Sequence, residues 1–177
     1  MTAVTIHYLE LLESDAFHPK TSSLEGTTVL HAQIPSPELQ RFLYRAVGGE
    51  YHWTDKMNWS RSQWLEASQR WELHILYVEG TIAGYFDLEP QGDAGVEIAY
   101  FGLLPDFAGK GLGAHLLTAA VTRARALGAT RVHVNTCSLD GPQALRNYEA
   151  RGFRVHKTEV LEKALAAVSP AFWGSAF

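Results

Sequence analysis

The 177-residue sequence contains little cysteine, no long apolar run and no strong excess of either charge. A single cysteine excludes an internal disulfide and a zinc site built from several cysteines. No apolar run approaches the roughly 20 residues that cross a bilayer. The start of the chain also lacks the basic and then apolar pattern of a secretion signal. We therefore expect a cytoplasmic protein that does not associate with membranes.

The charges of the chain are nearly balanced. Lys and Arg number 15 and Asp and Glu 19, which gives a formal net charge of −4 with His neutral. A nucleic-acid-binding protein would need a basic excess, so we expect no nucleic-acid partner. The acidic balance is compatible with a cationic substrate. The eight histidines show no metal-binding spacing, and we expect no metal.

No linker rich in Gly, Ser or Pro divides the chain, which predicts a single domain over residues 1–177. Alternating patterns and helix-start signals predict an α/β protein with a mixed sheet, of which a hairpin makes part antiparallel. The predicted strands cover 3–9, 27–34, 73–78, 82–88, 95–103, 131–136 and 153–160. Helices are predicted to start at Ser36-Pro37, at Ser60 with Gln63 as a capping box, after the glycine-rich turn, and at Pro142. The oligomeric state stays open, a homodimer included.

The first predicted helix has an apolar pattern at helical spacing. Leu39, Phe42, Leu43 and Ala46 fall on one side of it. We therefore expect these residues to form its buried face.

A glycine-rich turn links the strand that ends at Leu103 to a long helix. Gly109, Gly111 and Gly113 are spaced two apart, and without Cβ atoms the backbone can come close to a ligand. The first-turn amides and the positive end of the helix dipole then favour an anion. Such a site suits a diphosphate, and Lys110 adds a positive charge.

This turn resembles three kinds of phosphate-binding loop to different degrees. A Walker A loop is excluded because Leu104 and Gly111 stand where it needs Gly and Ser or Thr. A dinucleotide fingerprint matches only weakly, because Ala114 replaces its last glycine. The third kind binds the pyrophosphate of coenzyme A through the pattern Arg/Gln-x-x-Gly-x-Gly/Ala.

Several segments in this order resemble the GNAT superfamily of acyl-CoA-dependent N-acetyltransferases. They are the strand 96–103, the glycine turn with its helix, the strand 131–136, and 147–153, which is similar to the family's Tyr-x-x-x-Gly-Phe signature. The resemblance covers about 73–158. It implies a GNAT-like fold with a mostly antiparallel sheet, acetyl-CoA as co-substrate, and a small-molecule or peptide amine as acceptor.

The resemblance also implies where the coenzyme lies. The thioester would contact the backbone at Phe101 and Leu103, between two parallel strands. The implied coenzyme-binding residues are Phe101, Gly102, Leu103, Gly109, Lys110, Gly111, Leu112, Gly113, Ala114 and Asn147. Two family residues are missing, since Ala108 replaces the usual Arg or Gln and Gly141 a frequent Asn. Because backbone amides carry most of the function of the turn, we expect binding to survive both changes.

Two residues are candidates for proton transfer. An amine must be neutral to attack, so a base must first remove its proton. Glu97 matches the catalytic glutamate of the histone-acetylating branch, and Tyr148 matches the tyrosine that protonates the leaving thiolate. Period-two alternation places Glu97, Ala99 and Phe101 on one face of the strand. The structural alternatives are an ion-paired Glu97 and a Tyr148 that only packs.

The loop between the first two predicted helices is rich in aromatic residues. The resemblance implies that this region lines the acceptor site. We expect Trp53 and Trp59 to face a cation, and Glu50 or Asp55 to pair with it. His52 is a second candidate base. The alternative is that the tryptophans only pack.

The remaining alternatives concern the reaction and the class of protein. Cys137 follows a predicted strand that carries His133 and so allows an acyl-cysteine scheme, although a lone cysteine is usually an inert core residue. The main prediction is direct acetyl transfer through a ternary complex. A non-catalytic acyl-CoA-binding regulatory module and a nicotinamide-dependent Rossmann enzyme are the other two candidates.

Overall fold

A seven-stranded sheet organises the residues that the computed structural model describes, 1–49 and 51–165. The strands are β1 (Thr2–Leu12), β2 (Thr27–His31), β3 (Glu72–Val78), β4 (Thr81–Pro90), β5 (Val96–Leu103), β6 (Arg131–Cys137) and β7 (Arg154–Lys163). The helices are α1 (Pro37–Gly48), α2 (Arg61–Arg70), α3 (Leu112–Ala126) and α4 (Ala144–Ala150). The spatial order is β2-β3-β4-β5-β6-β1-β7, and only β5 and β6 run parallel. The mixed, mostly antiparallel α/β fold is thereby confirmed.

Helices cover the two faces of the sheet around β4. Tyr85 packs with Leu43 of α1, whereas the next residue, Phe86, packs with Leu116 of α3. Successive side chains of a strand point to opposite faces, so α1 and α3 lie on opposite sides of the sheet. β4 is buried continuously from Ala83 to Leu88 because both of its faces are covered.

The predicted helix starts at Ser36 and Ser60 are confirmed. The Ser36 side chain accepts a hydrogen bond from the Leu39 amide, and Ser60 forms a capping box with Gln63. Each cap is worth about 1 kcal/mol. No helix within the described ranges combines the length and the apolar character that crossing a membrane requires.

The predicted buried face of α1 is wrong in part. Leu43 is buried, but Phe42 is 39% exposed, and Gln40 lies fully inside. The helix is rotated because the Gln40 side chain donates a hydrogen bond to the buried carboxylate of Asp87, 2.7 Å away. Apolar spacing alone cannot reveal a polar contact across 47 residues.

The first strand of the chain lies among the last ones. β1 pairs antiparallel with both β6 and β7, and Tyr8 lies opposite Asn135 on one side and Lys157 on the other. β7 forms an edge of the sheet with mostly exposed side chains, and it runs to Lys163 rather than to Val160 as predicted. Residues 166–177 lie outside the described residues.

β5 and β6 pair at two positions only, Val96 with Val132 and Glu97 with His133. In the described chain no further pairing joins them, so an opening separates the rest of β5 from β6. The other edge of β5 pairs with β4 as far as Leu103. The fold thus leaves a gap in the sheet between the carboxyl-terminal part of β5 and β6.

A β-bulge changes which side chains of β5 face the opening. The register with β4 shifts so that Leu88 lies opposite Ile98 while Asp87 lies opposite Tyr100, which leaves Ala99 as the extra residue. Ile98 and Phe101 consequently both pack toward α3. The predicted alternation is therefore wrong beyond Ala99: Glu97 and Phe101 lie on opposite faces.

Candidate functional site

The glycine turn lies at the carboxyl end of β5, where the opening is wide. Gly109 and Gly111 both have φ of +75°, and a Cβ at either position would have no atom within 4 Å. Gly111 precedes α3 and no side chain caps that helix, so the first-turn amides have no competing side-chain acceptor. Left-handed glycines, open space and an uncapped helix start fit a diphosphate.

The other residues predicted around the turn differ in how they could contribute. Leu112 is fully buried, so only its backbone can face a ligand. The Asn147 side chain donates to the Gly113 carbonyl, 3.1 Å away, and thus ties α4 to the first turn of α3. The Lys110 ammonium lies 5.4 Å from the centroid of the Phe107 ring. Ala114 follows in the same first turn of α3.

The backbone of Phe101, Gly102 and Leu103 lines the opening from the β5 side. Toward β4 these residues form regular antiparallel pairs. Toward β6 no strand of the described chain pairs with them. Backbone groups on such an unpaired edge can form hydrogen bonds with an extended ligand.

Tyr148 lies beside the opening. Its ring centroid is 5.9 Å from that of Phe101 on β5 and 5.8 Å from that of Phe153. Burial, and secondarily the charge of Asp140, raises the pKa of the Tyr148 hydroxyl far above its usual range. The phenol therefore stays protonated and can act as a proton donor.

Glu97 lies at the narrow end of the opening, where β5 and β6 part. The Gln91 side chain donates to its carboxylate, 2.7 Å away, and Gln91 Oε1 lies 3.0 Å from His133 Nε2. Burial raises the pKa of Glu97 and nearby Glu89 adds to this, while the Gln91 hydrogen bond opposes it. No Lys or Arg of the described residues forms a salt bridge with Glu97, so the ion-paired alternative is not what the structure shows.

A cluster of rings lines the face of β5 that α1 and α2 cover. Tyr100 lies 5.2 Å from both Tyr44 and Trp53, between ring centroids. The Asp55 carboxylate accepts hydrogen bonds from Tyr44, at 2.5 Å, and from Tyr100, at 3.3 Å. We call Tyr44, Trp53, Asp55 and Tyr100 the acceptor wall, after the acceptor site that the sequence predicts in this region. Tyr44 and Tyr100 were not among the predicted site residues, because nothing in the sequence indicates that a helical and a strand tyrosine meet.

Two of the residues predicted to bind a cation, Asp55 and Trp59, already contact a cationic side chain of the protein itself. Lys56 Nζ lies 2.7 Å from Asp55 Oδ2 and 4.5 Å from the centroid of the Trp59 ring. Of the other predicted acceptor residues, His52 adopts a left-handed φ of 55°. Glu50 lies outside the described residues.

Trp53 reaches across the opening. Its indole Nε1 donates to Asp140, 3.4 Å away, and Asp140 also accepts hydrogen bonds from the Thr136 hydroxyl and the Cys137 amide. The loop after α1 and the end of β6 are therefore in contact. This contact closes one side of the opening.

The acceptor wall rests on a buried polar layer. Asp87 is fully buried, and burial raises the pKa of its carboxyl well above the usual range. One carboxylate oxygen accepts the Gln40 hydrogen bond. The other oxygen and the Tyr85 hydroxyl have no hydrogen-bond partner among the described residues.

Cys137 is placed poorly for a nucleophile. Burial, with a contribution from the charge of Asp140, raises the pKa of its thiol. The thiolate is the reactive form, so this environment disfavours an acyl-cysteine scheme.

One group of possible metal ligands occurs among the described residues. His31, Glu72 and His74 bring ligand atoms within 4.8 Å of one another. Arg123, however, binds both Glu72 oxygens at 2.8 Å, and the imidazoles stack 4.6 Å apart at an angle of 11°. Nearly parallel rings cannot direct their in-plane lone pairs at one ion.

The chain belongs to the GNAT acetyltransferase family, because a model of the acetyltransferase (GNAT) family matches residues 36–153. Members of this family use acetyl-CoA. No curated protein matches the chain significantly in sequence.

Several solved structures share this fold. A GCN5-related N-acetyltransferase from Sphaerobacter thermophilus is 17% identical with a TM-score of 0.67, over 90% of this chain and 51% of that one. A GCN5-related N-acetyltransferase from Kribbella flavida is 21% identical with a TM-score of 0.62, over 89% and 58%. A GNAT family acetyltransferase from Elizabethkingia anophelis with acetyl-CoA bound is 20% identical with a TM-score of 0.54, over 75% and 79%. The chain thus spans about half the length of the first of these structures.

Proposed function

We propose that the protein is an N-acetyltransferase that moves the acetyl group of acetyl-CoA to a primary amine of a small molecule or peptide. Transfer is direct, within a ternary complex. The observation that carries this proposal is the opening between β5 and β6, which has an uncapped glycine turn at its wide end, a buried phenol beside it and a carboxylate of raised pKa at its narrow end. Family membership supports it.

The chain binds acetyl-CoA mainly through its backbone. The first-turn amides of α3 and the turn at Gly109 and Gly111 hold the pyrophosphate, with Lys110 nearby. The unpaired edge of β5 at Phe101 and Leu103 aligns the thioester arm. The bound coenzyme supplies an acetyl group that is activated as a thioester.

Two side chains move protons. Glu97 accepts the proton of the ammonium form of the acceptor, directly or through water, and its raised pKa brings it closer to the neutral range in which a base works best. Tyr148 donates its proton to the departing sulfur, because its phenol is protonated at neutral pH and lies beside Phe101 of β5. The acceptor wall positions the amine on the Glu97 side of β5.

A second candidate is the acyl-CoA-binding regulatory module on the same scaffold. Ala108 lacks the pyrophosphate-binding side chain usual in the family, and the Tyr51 ring lies against Gly141, 3.4 Å from a Cβ built there. The contacts of Tyr51 with Gly141 and of Trp53 with Asp140 both lie just beyond β6, where they would restrict the access of an acceptor. Binding of acetyl-CoA without turnover on any amine would favour this candidate.

The experiment is thiol release from acetyl-CoA across a panel of primary amines, with acetyl-CoA binding measured by thermal shift on the same protein. We expect turnover on at least one amine. Tyr148→Phe should lower turnover by about 100-fold or more, the range of general acid catalysis, with acetyl-CoA affinity little changed. Unchanged turnover would remove Tyr148 from the mechanism, and no stabilisation by acetyl-CoA would reject the proposal as a whole.

A further inference from the structure

A groove between α1 and the start of α2 is lined mostly by side chains to which the proposed acetyl transfer gives no role; Trp59, predicted above to face a cation, is the exception. Its volume is about 470 Å³, within the size range of small-molecule sites. Its principal lining residues are Arg41, Phe42, Arg45, Trp59, Arg61 and Trp64. The α1 residues among them lie on the side of the helix away from Leu43 and Val47, which face the sheet.

The charge of the groove is positive although that of the chain is negative. Arg41 and Arg45 lie one helical turn apart, and neither forms a salt bridge with any residue that the structure describes. Arg61 pairs at 2.7 Å with Glu38, the acidic residue of the lining. Like charges one turn apart repel, and an anion between them would relieve that repulsion. Guanidinium groups bind carboxylate and phosphate oxygens in a two-pronged manner.

The walls of the groove are aromatic. Trp59 and Trp64 pack edge to face with centroids 5.3 Å apart, and Phe42 is 39% exposed. Trp64 is 1% exposed, and its indole Nε1 has no acceptor among the described residues. The rings therefore give the groove an apolar wall, and the Trp64 nitrogen lies beneath its surface.

We propose that this groove binds a small organic anion, a carboxylate or phosphate monoester that carries a flat apolar group. The anionic oxygens bind Arg41 and Arg45, and the flat group packs on Trp59 and Phe42. Trp59 stacks at 6.3 Å on Trp71, which in turn contacts Tyr100 at 5.4 Å. The bound anion therefore rests against the back of the acceptor wall, in a site distinct from the one that we assign to acetyl transfer.

The test is a titration with phenyl phosphate in the absence of coenzyme. Binding is monitored by tryptophan fluorescence, to which Trp59 and Trp64 contribute. We expect saturable binding. Inorganic phosphate lacks the flat group and benzyl alcohol lacks the charge, so each should bind at least about tenfold more weakly. Equal binding of benzyl alcohol would contradict an anion site.

The variant Arg41→Gln/Arg45→Gln should raise the Kd for phenyl phosphate at least about tenfold. The variant Arg41→Lys/Arg45→Lys keeps the charge but loses the two-pronged hydrogen bonding of the guanidinium groups. Its Kd should lie between that of the unmodified protein and that of the glutamine variant. Arg146→Gln removes an exposed arginine of α4 and should leave the Kd unchanged. Binding that survives the loss of both arginines would overturn the proposal and place the probe elsewhere, for example at the glycine turn. If the double variant fails to fold by circular dichroism, the two single variants decide in the same way. Neither outcome depends on whether the protein transfers acetyl groups.

Discussion

The two walls of the opening are built in different ways. The coenzyme side is a turn of five consecutive residues, 109–113, in which backbone conformation carries the proposed contacts. The acceptor wall joins side chains from α1, from the loop after it and from β5, which meet through rings and hydrogen bonds to Asp55. A backbone site tolerates changes in its side chains but not in its glycines. A side-chain site depends on protonation and packing.

The largest expected effect on the acceptor side is that of Glu97→Gln. We expect turnover to fall by about 100-fold or more at neutral pH, because the base is lost. In the unmodified protein the rate should fall as the pH drops through the raised pKa of Glu97, since only the ionised carboxylate accepts a proton. This acid limb should be absent from the pH–rate profile of the variant.

The matched control for Glu97 is Glu89→Gln. Glu89 lies opposite Glu97 in the β4–β5 pair, and its charge helps to raise the pKa of Glu97. Its removal should keep the acid limb and shift it to lower pH. An acid limb that persists in Glu97→Gln would assign the base to another residue.

On the coenzyme side, Gly111→Ala and Gly128→Ala form a matched pair. Both glycines have positive φ, +75° and +88°, and a Cβ at either would meet no atom within 4 Å. Each substitution should therefore lower the free energy of unfolding by a similar amount, about 1 kcal/mol. Only Gly111→Ala should weaken acetyl-CoA binding, by about tenfold in a calorimetric titration, because Gly128 follows the far end of α3. Equal acetyl-CoA affinities in the two variants would show that the glycine turn does not bind the coenzyme.

The smallest expected effect is on stability, from Asp87→Asn beneath the acceptor wall. Because burial raises the folded-state pKa of Asp87, its contribution to stability is fully present below the unfolded pKa of about 3.9 and is lost as the pH rises toward the folded value. Asn is neutral throughout and keeps an oxygen for Gln40. The Tm should therefore rise by about 2–4 °C at pH 8, and little at pH 4.

The exposed Asp93→Asn is the control for Asp87 and should change the Tm little at either pH. A lower Tm for Asp87→Asn at pH 8 would mean that the buried carboxylate is ionised and stabilised by a partner.

Local signals determined much of this protein. Ser36, Ser60 and Gln63 fixed two helix starts, because a cap needs only neighbouring residues. The glycine turn was evident for the same reason, since positive φ and a helix start are local properties. The order of strand, glycine turn, helix and closing tyrosine segment was enough to place the chain in its family, which the match over 36–153 confirms. The roles of Glu97 and Tyr148 remain predictions.

Long-range contacts decided the rest. The bulge at Ala99, which separates the faces of Glu97 and Phe101, depends on the register with β4, and a shift of one residue reverses every side chain beyond it. The rotation of α1 depends on the bond from Gln40 to Asp87, and it both buries Tyr44 in the acceptor wall and leaves Phe42 in the groove. β1 gave no recognisable motif, yet it lies between β6 and β7. The sequence alone thus determined most of the elements and the conformation of the glycine turn. Only the tertiary structure decided which side chains meet, because their free energies of burial and hydrogen bonding depend on partners far away in the chain.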